Sequence, residues 1–152
     1  MTCSSKRGIR NNNPFNIKKS DHKWIGKIKG SDPTFEVFSN MYYGIRAGLK
    51  LLINYVDRGF NTPYKIISRF APSSENNVSN YVAFICRDST GAYFISPDAQ
   101  IKKLSTLCKS ANRMVKYECS LSYPEEVNYC LTANDFQKII DFYKLNKNGI
   151  LL

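Results

Sequence analysis

The residues best suited to acid–base chemistry in this chain are its glutamates, of which the sequence has only five. Glu118 has the most unusual position, because it falls at the predicted C-terminal end of a long helix, in the stretch NRMVKYECSLSYP. The helix dipole places partial negative charge there, and partial burial would further raise the pKa of the carboxyl group. A glutamic acid that stays protonated near neutral pH is the general acid that glycosidic bond cleavage requires. The alternative is an ordinary solvated glutamate at a frayed helix end.

Most glycosidases need a second carboxylate, and two other glutamates are candidates for it. Glu75 lies in APSSENNVSN just ahead of a predicted helix, where the helix dipole favours the ionised form. It would serve either as a structural cap or as an electrostatic partner of a bound sugar. Glu36 alternates with apolar neighbours in FEVF and would face solvent or the wall of a cleft. If neither residue lies across from Glu118, the substrate's own hydroxyl would attack and form an anhydro sugar.

The stretch RGIRNNNPFNIKK concentrates side-chain amides in a basic segment that predicts irregular backbone. Asparagine tolerates unusual backbone angles and Pro14 fixes a bend, so a structural turn is one interpretation. The other is a platform for sugar hydroxyls and N-acetyl groups, since an amide both donates and accepts hydrogen bonds. Trp24, the only tryptophan, would either stack on a sugar ring or anchor the core.

Positive charge is concentrated near the start of the chain. The formal net charge is +10, and residues 1–30 hold eight Lys or Arg against one acid, which gives +7. Such a region favours a polyanionic partner: nucleic acid, an anionic membrane or an acidic cell-wall polymer. A solvated basic surface without a partner is the alternative interpretation.

The cysteines and the histidine give no support to a disulfide framework, a metal site or a cofactor. Five cysteines are an odd number without a CxxC pair, so we expect reduced thiols, several of them in the core. The single histidine, His22, argues against histidine-based catalysis. No apolar stretch approaches the roughly 18 residues of a membrane span, and the N-terminus lacks the apolar core of a secretory signal. We therefore expect synthesis and folding in the cytoplasm, without a signal peptide.

The spacing of apolar residues and the positions of Gly and Pro predict a single, mainly α-helical (α+β) domain over residues 1–152, with a small β-hairpin near its start. Two alternating runs around GSDP predict the hairpin within residues 23–38. Apolar residues spaced four, three and four apart from Ile45 to Val56 predict a helix over 40–58 that stops at Gly59. The chain is also predicted to have a leader over 1–6 and a loop over 6–19. Four further helices are predicted: one from Thr62-Pro63 to before Pro72, one over 77–87, one from Ser96-Pro97 to about Glu118, and one within 133–152.

Several stretches, taken in order, resemble one family: RGIRNNNPFNI, KWIGK, FEVFSNMYYGIRAGLKLLINY, IISRFAPSSENNVSNYV and MVKYE followed by YP. Over roughly residues 7–124 they are similar to phage and prophage virion structural proteins and lysozyme-like peptidoglycan hydrolases. The resemblance implies a lysozyme-like helical fold, and it aligns Glu118 with the Glu of the family's Glu-Asn-Gly. Cys119-Ser120 depart from that Asn-Gly. The implied site has catalytic Glu118 and Glu75, and substrate-binding Asn11, Asn12, Asn13, Asn16, Trp24, Asn76 and Tyr81.

The sequence therefore leads to three hypotheses of function. The first is a phage-type muramidase or lytic transglycosylase that binds peptidoglycan strands as a monomer and acts at the cell wall after release or as a virion component. Glu118 would protonate the glycosidic oxygen. The second is a non-catalytic virion or wall-binding protein, supported by the Cys119-Ser120 departure. The third is a nucleic-acid-binding domain, which rests on charge alone because the usual module signatures are absent.

Overall fold

A computed structural model of the chain describes residues 7–72 and 77–119. The described part is mainly α-helical and includes one two-stranded antiparallel sheet, which confirms the predicted fold class for these ranges. The elements are α1 (Arg7–Arg10), β1 (Lys27–Ile28), β2 (Val37–Phe38), α2 (Met41–Asp57), α3 (Pro63–Phe70), α4 (Val78–Ile85) and α5 (Leu104–Cys119). The predicted leader and the predicted helix within 133–152 lie outside the described residues.

The hairpin forms where the sequence predicts it. Strand β1 pairs antiparallel with β2, with Lys27 opposite Phe38. The segment leading into β2 also pairs with the chain before the hairpin, through an antiparallel bridge between Lys18 and Phe35. Backbone hydrogen bonds lie on either side of this bridge. In this small β element, the segment that ends in β2 therefore pairs with β1 and also with the chain before the hairpin.

Helix α2 begins and ends at its predicted signals. The Asn40 side chain accepts a hydrogen bond from the Tyr43 backbone N–H, which satisfies one of the unpaired donors of the first turn. After the last turn, Gly59 has φ +93°, a conformation that favours glycine. The buried face of the helix includes Ile45, Leu49, Leu52 and Ile53.

The next two helices also follow their capping signals. The Thr62 hydroxyl accepts from the Lys65 N–H, Pro63 occupies the first turn, and α3 ends at Phe70. In α4 the cap is the Asn77 side chain, which accepts from the Asn80 N–H. The predicted range 77–87 is thus confirmed to within two residues at its C-terminal end, because the helix stops at Ile85.

The predicted start of the long helix at Ser96-Pro97 is wrong, because α5 begins at Leu104. The preceding segment is hydrogen-bonded to the chain around the start of α3. The Pro97 carbonyl accepts from the Tyr64 N–H, and the Ile101 N–H donates to the Asn61 carbonyl. These tertiary bonds engage backbone groups that a helix would use internally, so tertiary context overrides the local start signal.

The prediction of loop throughout residues 6–19 is wrong at one point, because residues 7–10 form the short helix α1. Gly8 and Ile9 are buried on this helix, which packs against α5. A Cβ atom added to Gly8 would lie 2.9 Å from the Asn16 amide oxygen and 3.5 Å from the Cys119 sulfur. Helix α1 therefore brings the N-terminal amide loop close to the end of α5.

The helices enclose one buried cluster of apolar side chains. Its largest fully buried members include Phe15, Leu49, Ile67, Tyr81, Leu107 and Met114. Cys86, Cys108 and Cys119 are buried, as expected for several of the cysteines. Burial raises the pKa of the Cys86 thiol to about 11, which keeps it protonated and unreactive at neutral pH. Within the described ranges, no helix is both long and apolar enough to cross a bilayer.

Candidate functional site

Glu118 lies in the last turn of α5, at the helix end that the sequence predicts. One carboxylate oxygen accepts a 2.7 Å hydrogen bond from the Tyr81 hydroxyl. The other accepts a 3.1 Å hydrogen bond from the Asn16 side-chain amide, which also lies 3.3 Å from the Glu118 backbone carbonyl. Three distant parts of the chain, the amide loop, α4 and α5, therefore meet at this carboxylate.

Tyr81 is fully buried, and its ring stacks on the Tyr117 ring with centroids 3.8 Å apart. Burial, together with the charge of Glu118 and the hydrogen bond to it, holds the pKa of the Tyr81 phenol well above its usual range. The hydroxyl therefore stays protonated and donates to the carboxylate. The sequence-based role of Tyr81 in substrate binding does not fit this position, because a fully buried side chain has no surface to offer a ligand.

Asn16 reaches Glu118 because of its backbone conformation. Its φ is +52°, in the left-handed region that asparagine adopts more readily than most residues with a side chain. The Asn16 N–H donates to the Asn13 carbonyl, which closes a tight turn around Pro14 and Phe15. Asn16 is thus a structural turn residue, as one of the two sequence interpretations of the amide loop predicts, and it also contacts the candidate acid.

A cavity of about 420 Å³ opens beside Glu118. Asn16 and Lys18 line it on the side of the amide loop, and Ala71 and Pro72 line it after α3. Its aromatic lining consists of Phe35, Tyr55 and Phe70. Aromatic faces beside a few polar groups suit the apolar faces and hydroxyl edges of a sugar ring. The sequence analysis missed these aromatics, although the spacing of Leu51 and Tyr55 along one face of α2 was a usable signal.

The other asparagines of the loop have structural roles. The Asn13 side chain is fully buried and donates to the carbonyls of Ile17 and Glu36, while its oxygen accepts from the Ile17 N–H. The Asn12 amide donates to the Phe38 carbonyl, and Asn12 has φ +51°. These amides hold the loop against the β element, and none of their described hydrogen bonds involves Glu118. The hypothesis that Asn12 and Asn13 form a glycan wall is not supported by this geometry.

Asn11 belongs to a cluster that the sequence analysis did not find. Asp32 accepts hydrogen bonds from the Arg7 guanidinium at 2.6 and 2.7 Å and from the Asn11 amide at 2.9 Å. The backbone N–H groups of Thr34 and Phe35 also donate to it. The Arg7 hydrogen bonds and these further donors hold the pKa of the Asp32 carboxyl well below its usual range. This cluster fixes α1 to the turn of the hairpin, across a sequence separation that hides it from pattern analysis.

Trp24 does not line the Glu118 cavity. It lines a second surface cavity of about 680 Å³, together with lysines of the hairpin region and Glu36. The alternation along the bridged segments explains the separation, since Lys18 and Phe35 face the Glu118 cavity whereas Lys19 and Glu36 face the second one. Trp24 and Glu118, which the resemblance placed in one site, thus line two different cavities.

Of the two other candidate carboxylates, the structure describes Glu36 but not Glu75. Glu36 is buried, and its carboxylate lies 2.9 Å from the Lys27 ammonium as an electrostatic pair. The hydrogen bonds of that ammonium go to the carbonyls of Ser20 and His22. Glu36 is thus a buried structural carboxylate facing the second cavity, with no part in the Glu118 cavity. Glu75 and Asn76 lie outside the described residues.

Comparison with known proteins connects the chain to a bacteriophage. No protein-family model matches the chain. Protein P5 of Pseudoalteromonas phage PM2 is 44% identical to it over 84 residues, which cover 52% of this chain and 52% of that protein. The chain thus spans about half the length of the curated relative it matches. On this evidence the chain is similar to a phage protein over about half its length.

Proposed function

We propose that this chain is a phage-type enzyme that cleaves the glycan strands of peptidoglycan, with Glu118 as the general acid. The observation that carries the proposal is the Glu118 carboxylate at the edge of a cavity with an aromatic lining. A sugar chain placed along Phe35, Tyr55 and Phe70 would bring a glycosidic oxygen to this carboxyl. The similarity to a phage protein supports the setting, since phages must cross a bacterial wall.

The cavity favours a route with a single carboxylate. Among the described residues that line it, Glu118 is the only acid. Hydrolysis by water or by a protein nucleophile normally requires two carboxyl groups at defined separations. With Glu118 alone, the carboxyl would protonate the leaving oxygen, and a hydroxyl of the substrate would attack the anomeric carbon. The carboxylate would then take the proton of that hydroxyl, and the product would carry an anhydro sugar.

One observation favours the second candidate, a non-catalytic virion or wall-binding protein. The hydrogen bonds from Tyr81 and Asn16 stabilise the ionised form of Glu118, whereas a general acid must carry a proton. In a binding protein the same carboxylate would orient the amide loop and accept from sugar hydroxyls. The two candidates therefore predict different effects of Glu118→Gln. In an enzyme the substitution abolishes bond cleavage, whereas in a binding protein it only weakens binding.

The test is incubation of the protein with purified peptidoglycan, followed by mass analysis of the released fragments. Glu118→Gln should abolish release, because acid catalysis contributes on the order of 10²–10⁴-fold. Asp98→Asn, at an exposed loop position, is the matched control and should keep full activity. Anhydro ends would support the single-carboxylate route, and reducing ends would indicate hydrolysis.

Glu75→Gln separates the routes further, since a loss equal to that of Glu118→Gln indicates a second essential carboxylate. Wall binding by all variants is measured in parallel by co-sedimentation. Release of fragments by Glu118→Gln at the wild-type rate would overturn the assignment. Binding without any release by the wild-type protein would favour the non-catalytic candidate.

A further inference from the structure

A basic segment of the described chain carries two exposed aliphatic side chains. Four large hydrophobic residues are exposed, and the two aliphatic ones among them, Ile25 and Ile28, lie three positions apart at 54% and 47% exposure. Lysines 23, 27 and 29 alternate with them in the sequence KWIGKIK. Ile28 lines the 680 Å³ cavity together with exposed Lys19, Lys23 and Lys29. Ile25 belongs to the same exposed segment but is not among the residues that line this cavity. We call the set Lys19, Lys23, Ile25, Ile28 and Lys29 the basic face.

The internal contacts of the hairpin determine which charges this face presents. The Lys27 ammonium is bound to the carbonyls of Ser20 and His22 and lies beside the buried Glu36 carboxylate. The Lys27 ammonium is therefore engaged in internal contacts that hold the loop 20–22 against the hairpin. The lysines of the basic face remain exposed, and the acids at this cavity are exposed Asp21 and buried Glu36, which is paired with Lys27.

We propose that the basic face docks on the surface of an anionic lipid bilayer. The positive charges complement anionic headgroups, as juxtamembrane basic segments do. Nucleic acids and anionic polysaccharides would satisfy the lysines, but they offer no apolar phase for two exposed aliphatic side chains. A bilayer interface offers both, because isoleucine side chains enter the boundary between headgroups and acyl chains while lysine ammonium groups stay at the headgroups.

The geometry also leaves the proposed glycan cavity accessible in the docked state. Lys18 and Phe35 point into the Glu118 cavity, and their neighbours Lys19 and Glu36 point into the cavity of the basic face. Docking therefore does not require the Glu118 cavity to close. The proposal stands independently of catalysis, and the Glu118→Gln variant should bind bilayers as the wild-type protein does.

The experiment uses the full chain with vesicles of phosphatidylcholine alone or mixed with phosphatidylglycerol. Two readouts are co-sedimentation and quenching of tryptophan fluorescence by lipids brominated on their acyl chains. Trp24 is the only tryptophan, so its quenching reports the position of this segment relative to the acyl region. We expect binding to mixed vesicles only, with quenching of Trp24, and a decrease in affinity as salt is raised.

Two paired variants separate charge from apolar insertion. Lys23→Gln with Lys29→Gln should weaken binding about tenfold or more, from the loss of two cationic contacts. Ile25→Ser with Ile28→Ser should weaken binding by about tenfold and remove the quenching, because the buried apolar area is lost. Matched controls on other surfaces are Lys65→Gln with Lys102→Gln, and Tyr64→Ser, which should bind like the wild-type protein. All seven substituted side chains are exposed, and thermal melts check that each variant stays folded.

Three outcomes would overturn the proposal. The first is no association with mixed vesicles at low salt. The second is full binding by the isoleucine variant, which would indicate a surface that responds to charge alone and would favour an anionic polymer. The third is binding without quenching of Trp24, which would place the contact elsewhere on the protein.

Discussion

The Tyr81 hydroxyl donates a 2.7 Å hydrogen bond to the Glu118 carboxylate from a ring that is itself fully buried. This bond acts against the helix dipole at the end of α5, since a donor favours the ionised carboxylate and the dipole disfavours it. The charge state of the candidate acid thus depends on the balance of these opposing contributions. Burial, together with the charge of Glu118 and this bond, raises the pKa of Tyr81, so the donor keeps its proton over the whole neutral range.

Tyr81→Phe should move the alkaline limb of the activity profile upward by about one pH unit. The substitution keeps the ring but removes the donor, and hydrogen bonds to charged groups are worth about 1.5–3 kcal/mol. The protonated form of Glu118 then persists to higher pH. The measurement is release of glycan fragments as a function of pH. Tyr117→Phe, which keeps the stacked ring, is the control, and an unchanged Tyr81→Phe profile would contradict the proposed role of the bond.

Glu118→Gln should lower the stability modestly, by about 1 kcal/mol. Both Tyr81 and Asn16 donate to this side chain, and an amide offers one acceptor oxygen where a carboxylate offers two. Urea unfolding followed by circular dichroism measures this loss of stability. A loss above about 3 kcal/mol would mean that activity assays of this variant report unfolding instead of chemistry.

Asn13→Ala should destabilise the protein by about 3 kcal/mol. The side chain is fully buried and binds backbone groups of Ile17 and Glu36, so truncation leaves buried donors and acceptors unpaired at about 1–3 kcal/mol each. Urea denaturation gives the change in free energy. Asn112→Ala, at an exposed position of α5, is the matched control and should be near neutral. A mild effect at Asn13 would show that water replaces the lost bonds.

Gly48→Ala should destabilise α2, although alanine normally favours a helix by about 0.5–1 kcal/mol over glycine. A Cβ atom at this position would lie 2.1 Å from a ring carbon of Phe15, which is itself fully buried. Overpacking of this kind costs about 1–3 kcal/mol. Thermal unfolding of Gly48→Ala beside Asn54→Ala, an exposed position of the same helix, measures the difference. Equal melting temperatures would mean that the Phe15 ring moves aside freely.

The protein should lose stability as the pH falls below about 4, and Asp32 should account for part of this loss. Its pKa is lowered in the folded state, so between the unfolded value near 3.9 and the lower folded value only the unfolded chain takes up the proton. The stabilisation is thus complete above pH 4 and is lost as the pH falls further. Asp32→Asn should melt at a lower temperature at pH 7 and show a shallower decline in acid. If the melting temperatures of the wild type and the variant fall equally as the pH is lowered, Asp32 does not contribute to the loss of stability in acid.

The sequence predicted best those elements whose signals are local. Helix α2 follows from the spacing of Ile45 to Val56 between an asparagine cap and a glycine stop, and α3 follows from Thr62-Pro63. The start of α5 was not predictable, because the Ser96-Pro97 signal is overridden by hydrogen bonds to residues near α3. Pattern analysis contains no information on which distant backbone groups will meet.

The candidate site shows the same difference between features set by local signals and features set by long-range contacts. The position of Glu118 at a helix end follows from the local pattern. Its contact with Asn16 is a long-range one, and the sequence placed these two residues in one site only through the family resemblance. The donor role of Tyr81 and the Arg7–Asp32 pair depend on how segments that are distant in the sequence pack together. The position of Trp24 depends on which side of the hairpin region its side chain occupies. Alternation assigns neighbouring residues to opposite faces, but only the pairing shows which cavity each face borders.

The contact between Asn16 and Glu118 spans 102 positions of the chain, and the Cys119 sulfur reaches the Pro14 carbonyl over 105. Closing a loop of this length carries an entropic penalty, which the packing of the surrounding core must offset. During synthesis, which proceeds from the N-terminus, the amide loop emerges long before its partner on α5. The acid and its neighbours therefore come together only in chains that have been made at least through residue 119, and shorter translation products lack the assembled site.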